Sequence, residues 1–270
     1  MKTAKISRKL ISVIVPAYKQ EKTIVRDVKN IRDALDQIRY DYELIVVVDG
    51  INQDKTYKKI KPLKSKKLLV LGYEHTHGKG YAVRYGMARA KGEYVAFIDG
   101  GGDLNPTGIS LMLDIMEWND ADVVVGSKLH KDSKVNYPNS RRALSFFSRI
   151  WIWLLFRLDI KDTQTGLKLF KRSVLEKVLP RLLIKQFAFD VEILAVAKHL
   201  GFNKKYESPV ELNYNFESSI MTKSFLYVLF RTFMDTVAIY YRLNILHYYD
   251  DKNHRKWRFD PELNFRVNIG

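Results

Sequence analysis

Short runs of β-branched and aliphatic residues recur along the first half of the chain, and amphipathic helical patterns separate them. The first run occupies positions 11–15 and stops at Pro16, after which apolar residues return in steps of three and four between positions 24 and 38. Later runs are ELIVVV, KLLVL, EYVAFI and DVVVG. Strands that alternate with helices predict an α/β fold with a mostly parallel central sheet covered by helices on both faces.

Two of these predicted strands end in an aspartate that is followed by a glycine. Asp49 follows the run at 44–48, and Asp99 follows the run at 94–98. Ligands of open α/β sheets bind beyond the carboxyl ends of the strands, so both carboxylates are expected to face that crevice. Ordinary turn formation by aspartate-glycine pairs explains either one of them alone.

The segment FIDGGGDLNP adds a second carboxylate, Asp103, to the loop that begins at Asp99. Two carboxylates on a glycine-rich loop offer the hard oxygen ligands that Mg²⁺ or Mn²⁺ prefers, and such an ion can bridge a diphosphate. The alternative is a glycine-rich turn with solvated aspartates. Upstream, Gly78, Lys79 and Gly80 precede a helical pattern whose free N–H groups suit a phosphate or a ribose hydroxyl.

The net charge of the chain limits the classes of partner that it is expected to bind but does not identify one. Among 270 residues, 46 Lys plus Arg stand against 30 Asp plus Glu, which gives a formal net charge of +16. This excess favours nucleic acid, anionic lipid or phosphorylated substrates, but no DNA- or RNA-recognition motif occurs and nucleic acid is not expected. The sequence has no cysteine and no uninterrupted apolar run of about 18 residues, and its first residues lack the apolar stretch and cleavage site expected of a signal peptide. We therefore expect a cytoplasmic protein.

Four segments follow one another in the first half: VIVPAYKQEKTI, VVVDGINQDKT, HGKGYAVRYGMARAKGEYVAFIDGGGD and VVVGSK. Their order and spacing resemble the donor half of family 2 glycosyltransferases. In the second half, DTQTGLKLFKR at 162–172 and FAFDVEIL at 187–194 resemble dolichyl-phosphate β-glucosyltransferases and dolichol-phosphate mannose synthases. The resemblance covers about positions 11–215 and is closer to the glucosyl branch.

The resemblance implies a GT-A fold, the nucleotide-sugar-binding sandwich, and an inverting transfer in which a divalent metal holds the leaving diphosphate. Asp49 would bind the base, Lys79 and Arg84 would lie near the ribose or diphosphate, and Asp99 would be both catalytic and a metal ligand. The full set assigned to the donor is Pro16, Ala17, Tyr18, Glu21, Asp49, Lys79, Arg84 and Asp99.

The sequence departs from the family pattern at the metal motif and at the second strand. Family members carry Asp-x-Asp, whereas here Gly101 stands at the second position and the next carboxylate is Asp103. Either a two-residue bulge restores the pair, or Asp99 ligates alone. Val48 replaces the first of two aspartates that usually end the second strand, which keeps open a degenerate, non-catalytic binding protein.

Three further positions are candidates for the acceptor side. Asp162, in the DTQTG turn, is expected to orient the sugar or the acceptor, with a structural turn as the alternative. Arg141, in a basic stretch before an aromatic helix, is expected to bind the acceptor phosphate, with a solvated loop as the alternative. Asp190 either caps its helix or faces the acceptor.

Together these observations predict a GT-A glycosyltransferase domain at 1–215, followed at 216–270 by an amphipathic helix and tail packed on the domain, a membrane surface or a partner. The expected reaction transfers glucose or mannose from UDP-glucose or GDP-mannose to a polyprenyl phosphate, with Mg²⁺ or Mn²⁺. The alternative acceptor is soluble or protein-bound. We expect peripheral association with the membrane, and homo-oligomer formation stays open.

Overall fold

The computed structural model describes residues 9–136, 139–213, 225–251, 257–263 and 265–268. The following list gives its strands: β1 (Leu10–Ala17), β2 (Asp41–Asp49), β3 (Leu68–Tyr73), β4 (Tyr94–Ile98), β5 (Val123–Ser127), β6 (Lys134–Asn136), β7 (Leu167–Lys171), β8 (Lys205–Pro209), β9 (Glu211–Asn213), β10 (Trp257–Asp260) and β11 (Phe265–Asn268).

A seven-stranded sheet in the order β3-β2-β1-β4-β7-β5-β8 forms the centre of the fold. β7 runs antiparallel to β4 and β5, and the other neighbouring pairs of this sheet are parallel. This arrangement confirms the predicted α/β class with a mostly parallel sheet. Two small sheets, β6 with β9 and β10 with β11, lie outside it.

The helices cover both faces of the central sheet. They are α1 (Ile24–Leu35), α2 (Thr56–Ile60), α3 (Lys79–Met87), α4 (Gly108–Trp118), α5 (Asn139–Phe156), α6 (Arg172–Val178), α7 (Phe189–His199) and α8 (Phe225–Asn244). α1 and α4 bury their apolar sides in one core, whereas α3, α6 and α7 bury theirs in the core on the opposite face. The period of three and four predicted for α1 is seen in the burial of Ile24, Val28, Ile31 and Leu35.

The segment after the sheet packs against the same core as α3 and α7. Ile239 of α8 and Tyr249 are fully buried there. Trp151 of α5 donates a hydrogen bond from Nε1 to Thr236 Oγ1 at 2.9 Å, and its ring centroid lies 4.6 Å from that of Phe233. α5 and α8 are therefore joined side by side.

Away from the core, α5 and α8 leave an apolar surface open, here called the outer face. Its exposed side chains are Phe147, Ile150, Trp153 and Leu154 on α5, and Phe230, Met234, Val237 and Tyr241 on α8. Within the described ranges, no helix combines the length and the apolar character that a membrane crossing requires.

Candidate active site

The carboxyl ends of β1, β2 and β4 meet at one edge of the central sheet. β1 lies between β2 and β4, so the direction in which the chain adds strands reverses beside β1. Such a switch point opens a ligand crevice in α/β sheets. The loop after β4 lies close to the end of β1, since a Cβ atom on Gly100 would be 2.8 Å from the carbonyl oxygen of Pro16.

Asp49 ends β2 and holds the loop that leads into α3. Its Oδ1 accepts a hydrogen bond from the His77 amide at 2.7 Å, and its Oδ2 accepts one from the Gly78 amide at 2.9 Å. Gly78 has a φ of 110°, a conformation that glycine adopts without the strain of a side chain. The carboxylate that was expected to bind a base thus fixes the start of α3, directly before Lys79.

Four side chains of alternating charge, here called the charge chain, run from the crevice into the core. Lys79 Nζ lies 2.9 and 3.0 Å from the two carboxylate oxygens of Asp99, and 3.1 Å from Asp190 Oδ2. The other oxygen of Asp190 accepts a hydrogen bond from Lys168 Nζ at 2.6 Å. Both ammonium groups lie over the Phe97 ring, at 5.6 and 5.2 Å from its centroid.

Burial and pairing act against each other in the charge chain. Burial disfavours the charged form of Lys79, but Asp190 and Asp99 outweigh it and raise the pKa of Lys79 above its usual value. Burial likewise opposes ionisation of Asp190, yet Lys168 and Lys79 lower the pKa of that carboxyl. Asp190 is therefore a carboxylate and Lys79 an ammonium at neutral pH.

Gly166 lets the Asp99 carboxylate lie against the backbone of β7. The Asp99 amide donates to the Gly166 carbonyl oxygen at 2.8 Å. A Cβ atom at Gly166 would lie only 1.9 Å from Asp99 Oδ2. A residue with a side chain at this position would displace the carboxylate that meets Lys79.

Asp103 lies beside the place where the family motif has its second aspartate. Its Oδ2 is 3.8 Å from the position that a Cβ atom on Gly101 would take. Asp99 and Asp103 also line one cavity of about 460 Å³, between α1 and the loop after β4. The loop thus places the Asp103 carboxylate close to the missing position.

The donor set fits a divalent cation that is shared with a ligand. Within the described parts of the chain, no three His, Cys, Asp or Glu side chains are grouped as a metal site. Mg²⁺ is commonly held by one or two carboxylates, with waters and substrate phosphates completing its octahedron. Asp99 and Asp103 can supply those two carboxylates, and the remaining ligands would come from the diphosphate and water.

Asp162 forms a second lysine–aspartate pair at the end of β5. Lys128 donates to it from the backbone amide at 2.9 Å, and Lys128 Nζ lies 2.9 Å from Asp162 Oδ2. The same Nζ donates to Thr165 Oγ1 at 2.9 Å. Burial raises the pKa of Asp162, but the Lys128 charge and the hydrogen bonds from Thr165 and Lys128 outweigh it and lower that pKa overall.

Of the remaining predicted donor residues, Pro16 lies next to the loop that follows Asp99, because a Cβ atom on Gly100 would be 2.8 Å from its carbonyl oxygen. Pro16, Ala17 and Tyr18 lie at the end of β1, with Tyr18 exposed. Glu21 accepts a hydrogen bond from the Lys55 amide at 3.0 Å and so holds the start of α2.

Arg84 was assigned to the ribose or diphosphate, but its contacts are elsewhere. Its guanidinium carbon lies 5.4 Å from the centroid of the Phe265 ring. Burial lowers the pKa of Arg84, and the nearby charges that oppose this are Glu192 and Asp260. Five positions along a helix turn a side chain about 140° away from Lys79, and Arg84 accordingly lies near α7 and the C-terminal hairpin formed by β10 and β11.

Two sequence expectations about the acceptor side have different outcomes. The Arg141 side chain lies outside the described residues, although its backbone belongs to α5. Asp190 does not cap its helix, because α7 begins at Phe189 with Ala188 in the capping position.

Sequence reasoning missed Lys168, which is fully buried in β7. A signal for it existed, since a lysine within the apolar run LKLF needs a buried anion as a partner. Periodicity alone does not reveal that this anion is Asp190, 22 positions later in the chain.

Comparisons of sequence and of structure both find proteins that are similar to this chain. A dolichyl-phosphate β-glucosyltransferase of Drosophila melanogaster is 34% identical over 206 residues, which are 70% of this chain and 63% of the relative. The enzyme of the same name from Dictyostelium discoideum is also 34% identical, over 71% of this chain and 63% of the relative. The chain therefore spans less than two thirds of the length of these relatives.

Among solved structures, glucosyl-3-phosphoglycerate synthase from Mycobacterium tuberculosis, crystallised with Mn²⁺, UDP and glucosyl-3-phosphoglycerate, superimposes with a TM-score of 0.63 at 19% identity. The match covers 96% of this chain and 87% of the synthase, which shows a shared fold. The sequence model of glycosyl transferase family 2 matches residues 12–179. This match covers more than half of the chain, which therefore belongs to glycosyl transferase family 2.

Proposed function

We propose that the protein transfers a hexose from a nucleotide diphosphate sugar to a polyprenyl phosphate, with inversion at the anomeric carbon. The observation that carries the proposal is the presence of two lysine–aspartate pairs at the carboxyl edge of the sheet, Lys79 with Asp99 and Lys128 with Asp162. The names of the dolichyl-phosphate β-glucosyltransferase relatives support this acceptor and favour glucose over mannose as the sugar, so we propose UDP-glucose rather than GDP-mannose as the donor.

On the donor side, Asp99 and Asp103 are proposed to hold Mg²⁺ or Mn²⁺, which would offset the charge of the leaving diphosphate. The presence of Mn²⁺ and UDP in crystals of the structural neighbour supports the use of a divalent metal. Lys79 adds a fixed positive charge at the same place. Asp49 keeps the amides of residues 77–78 in position at the start of α3.

On the acceptor side, the proposed nucleophile is a phosphate oxygen. A phosphate monoester is already ionised near neutral pH, so the transfer needs no strong general base. Asp190 is therefore not required to act as a general base, and both of its oxygens are bound by lysines. Asp162, held by Lys128, is proposed to orient the sugar or the acceptor, and Arg141 is proposed to bind the acceptor phosphate.

The outer face of α5 and α8 is proposed to lie on the membrane that contains the lipid acceptor. Aromatic and aliphatic side chains are exposed there, and exposed Arg157 and Arg231 flank them. Amphipathic helices with apolar and basic residues bind at the interface of anionic bilayers. In this proposal, residues 1–215 form the transferase unit, and its helix α5 contacts the lipid surface together with α8 of the segment 216–270.

The test is transfer of labelled sugar from UDP-glucose and, separately, GDP-mannose into a polyprenyl phosphate that is extracted into organic solvent. Mg²⁺, Mn²⁺ and a chelator are compared in parallel. Metal-dependent label in the lipid from UDP-glucose is expected, and Asp99→Ala should abolish it. Binding of UDP without any labelled lipid would mean that the acceptor is wrong, and full activity of Asp99→Ala would contradict the site.

A further inference from the structure

Asp190 contacts both lysines of the charge chain, and the proposed reaction gives it no other role. Its side chain is 4% exposed, and each of its oxygens meets a different ammonium, Lys168 Nζ at 2.6 Å and Lys79 Nζ at 3.1 Å. Lys168 is anchored in turn, because its Nζ also donates to the Thr165 carbonyl oxygen at 2.6 Å. The position of Asp190 is thus fixed from the core side.

In the described part of the chain, the Lys79 ammonium is bound by two carboxylates, those of Asp99 and Asp190. A lysine side chain carries its ammonium on a flexible four-carbon stem, so the side chain alone does not fix the position of the charge. Asp99 is half exposed at the crevice, whereas Asp190 is buried. Of the two partners, Asp190 is therefore the rigid one.

A buried ion pair is a weak source of stability, since the cost of removing two charges from water offsets their attraction. Hydrophobic residues would fill the space of Lys168 and Asp190 at no greater cost. The pair is better explained by what it holds in place, which is the ammonium of Lys79 next to Asp99.

We propose that Asp190 is a positioning residue that, anchored by Lys168, fixes the Lys79 ammonium beside Asp99 where the donor diphosphate leaves. This inference rests on the proposed function and adds to it a residue that does not itself touch the substrate. Charge builds up on the diphosphate as the bond to the sugar breaks, so a correctly placed cation acts mainly on the transition state.

The experiment compares Asp190→Asn, Lys168→Met and the double variant of both. Asp190→Asn leaves Lys168 buried without an anion and is expected to lower stability. The double variant removes both charges and should recover the thermal midpoint of unfolding. Its kcat should nevertheless stay about 100-fold below that of the wild type, as expected when a catalytic group moves by about 1 Å. The KM for UDP-glucose should change much less than kcat.

Glu192→Gln is the matched control on the same helix. Glu192 is as buried as Asp190, but its oxygens accept from the amides of Leu183 and Ile184 and from the Tyr249 hydroxyl. This variant makes the same carboxylate-to-amide change on the same helix without touching Lys79, so the folded fraction should keep the wild-type kcat.

Two results would overturn the positioning role. One is a double variant whose kcat returns together with its stability, because Asp190 would then act only on folding. The other is a crystal structure of the double variant in which Lys79 Nζ still meets Asp99 as before. That structural result does not depend on the reaction, whereas a wild-type protein that transfers no sugar would contradict the proposed function instead.

Discussion

Replacing Gly166 by alanine is expected to disable transfer through one methyl group. The added Cβ would lie 1.9 Å from Asp99 Oδ2 and 2.2 Å from Asp99 Cγ. Restoring an ordinary contact of 3.4 Å requires the carboxylate to move by about 1.5 Å. The φ of Gly166 lies outside the left-handed region, so alanine meets no backbone penalty and the effect falls on Asp99.

A shift of this size takes Asp99 out of contact with Lys79, now at 2.9 Å. Misplacement of a catalytic group by about 1 Å costs about 100-fold in rate. We therefore expect Gly166→Ala to lose about 100-fold or more in kcat, measured as labelled sugar transferred to polyprenyl phosphate under saturating UDP-glucose. The thermal midpoint of the variant should remain close to that of the wild type.

Gly108→Ala is the control, because a Cβ atom there would make only an ordinary contact, 3.9 Å from Leu167 Cδ2. It should leave transfer unchanged. Wild-type kcat in a folded Gly166→Ala protein would refute the reasoning, since it would mean that the position of the Asp99 carboxylate does not limit the reaction.

Three further predictions concern other parts of the molecule. Asp49→Ala removes two hydrogen bonds to a charged acceptor, each worth about 1.5–3 kcal/mol, and should raise the KM for UDP-glucose in steady-state kinetics by freeing the amides of residues 77–78. The pKa of Asp162 is lower in the folded state, so its stabilising effect is present above the unfolded pKa of about 3.9 and is lost as pH falls through the folded pKa. Urea unfolding should accordingly show a difference between the wild type and Asp162→Asn at neutral pH that shrinks on acidification. Phe230→Glu, on the outer face, should reduce sedimentation with anionic vesicles, whereas Val25→Glu, exposed on α1 across the sheet, should not; equal binding of both variants would contradict the membrane surface.

Local pattern was sufficient for the fold class and for the place of the crevice. The spacing of Ile24, Val28 and Ile31 predicts α1, and the aspartates at the ends of two apolar runs lie at the predicted carboxyl ends of β2 and β4. Both follow from neighbouring residues. The position of β7 between β4 and β5 does not, because the order of strands depends on contacts between distant segments.

The pairing of Lys168 with Asp190 inside the site could not be predicted from the sequence for the same reason. Lys168 and Asp190 are separate in the sequence, and only the packing of α7 on β7 and α3 brings them together with Lys79. The assignment of Arg84 to the donor came from its place in a motif. Helix rotation and the C-terminal hairpin, which the motif does not contain, direct that side chain toward Phe265.

The antiparallel entry of β7 explains why the two lysine–aspartate pairs contact one segment of the chain. β4 and β5 both end at the crevice, and β7 begins there between them, with Leu167 paired to Ile98 and Lys168 paired to Val125. The first residues of this segment then contact both sides at once. Thr165 accepts from Lys128 through its hydroxyl and from Lys168 through its carbonyl oxygen.

Gly166 completes this connection, because its carbonyl oxygen accepts the amide of Asp99. A parallel strand at the same place would begin at the opposite edge of the sheet and would leave Asp99 and Asp162 without a common support. The reversal of one strand therefore brings both lysine–aspartate pairs into contact with the same short segment, residues 165–166.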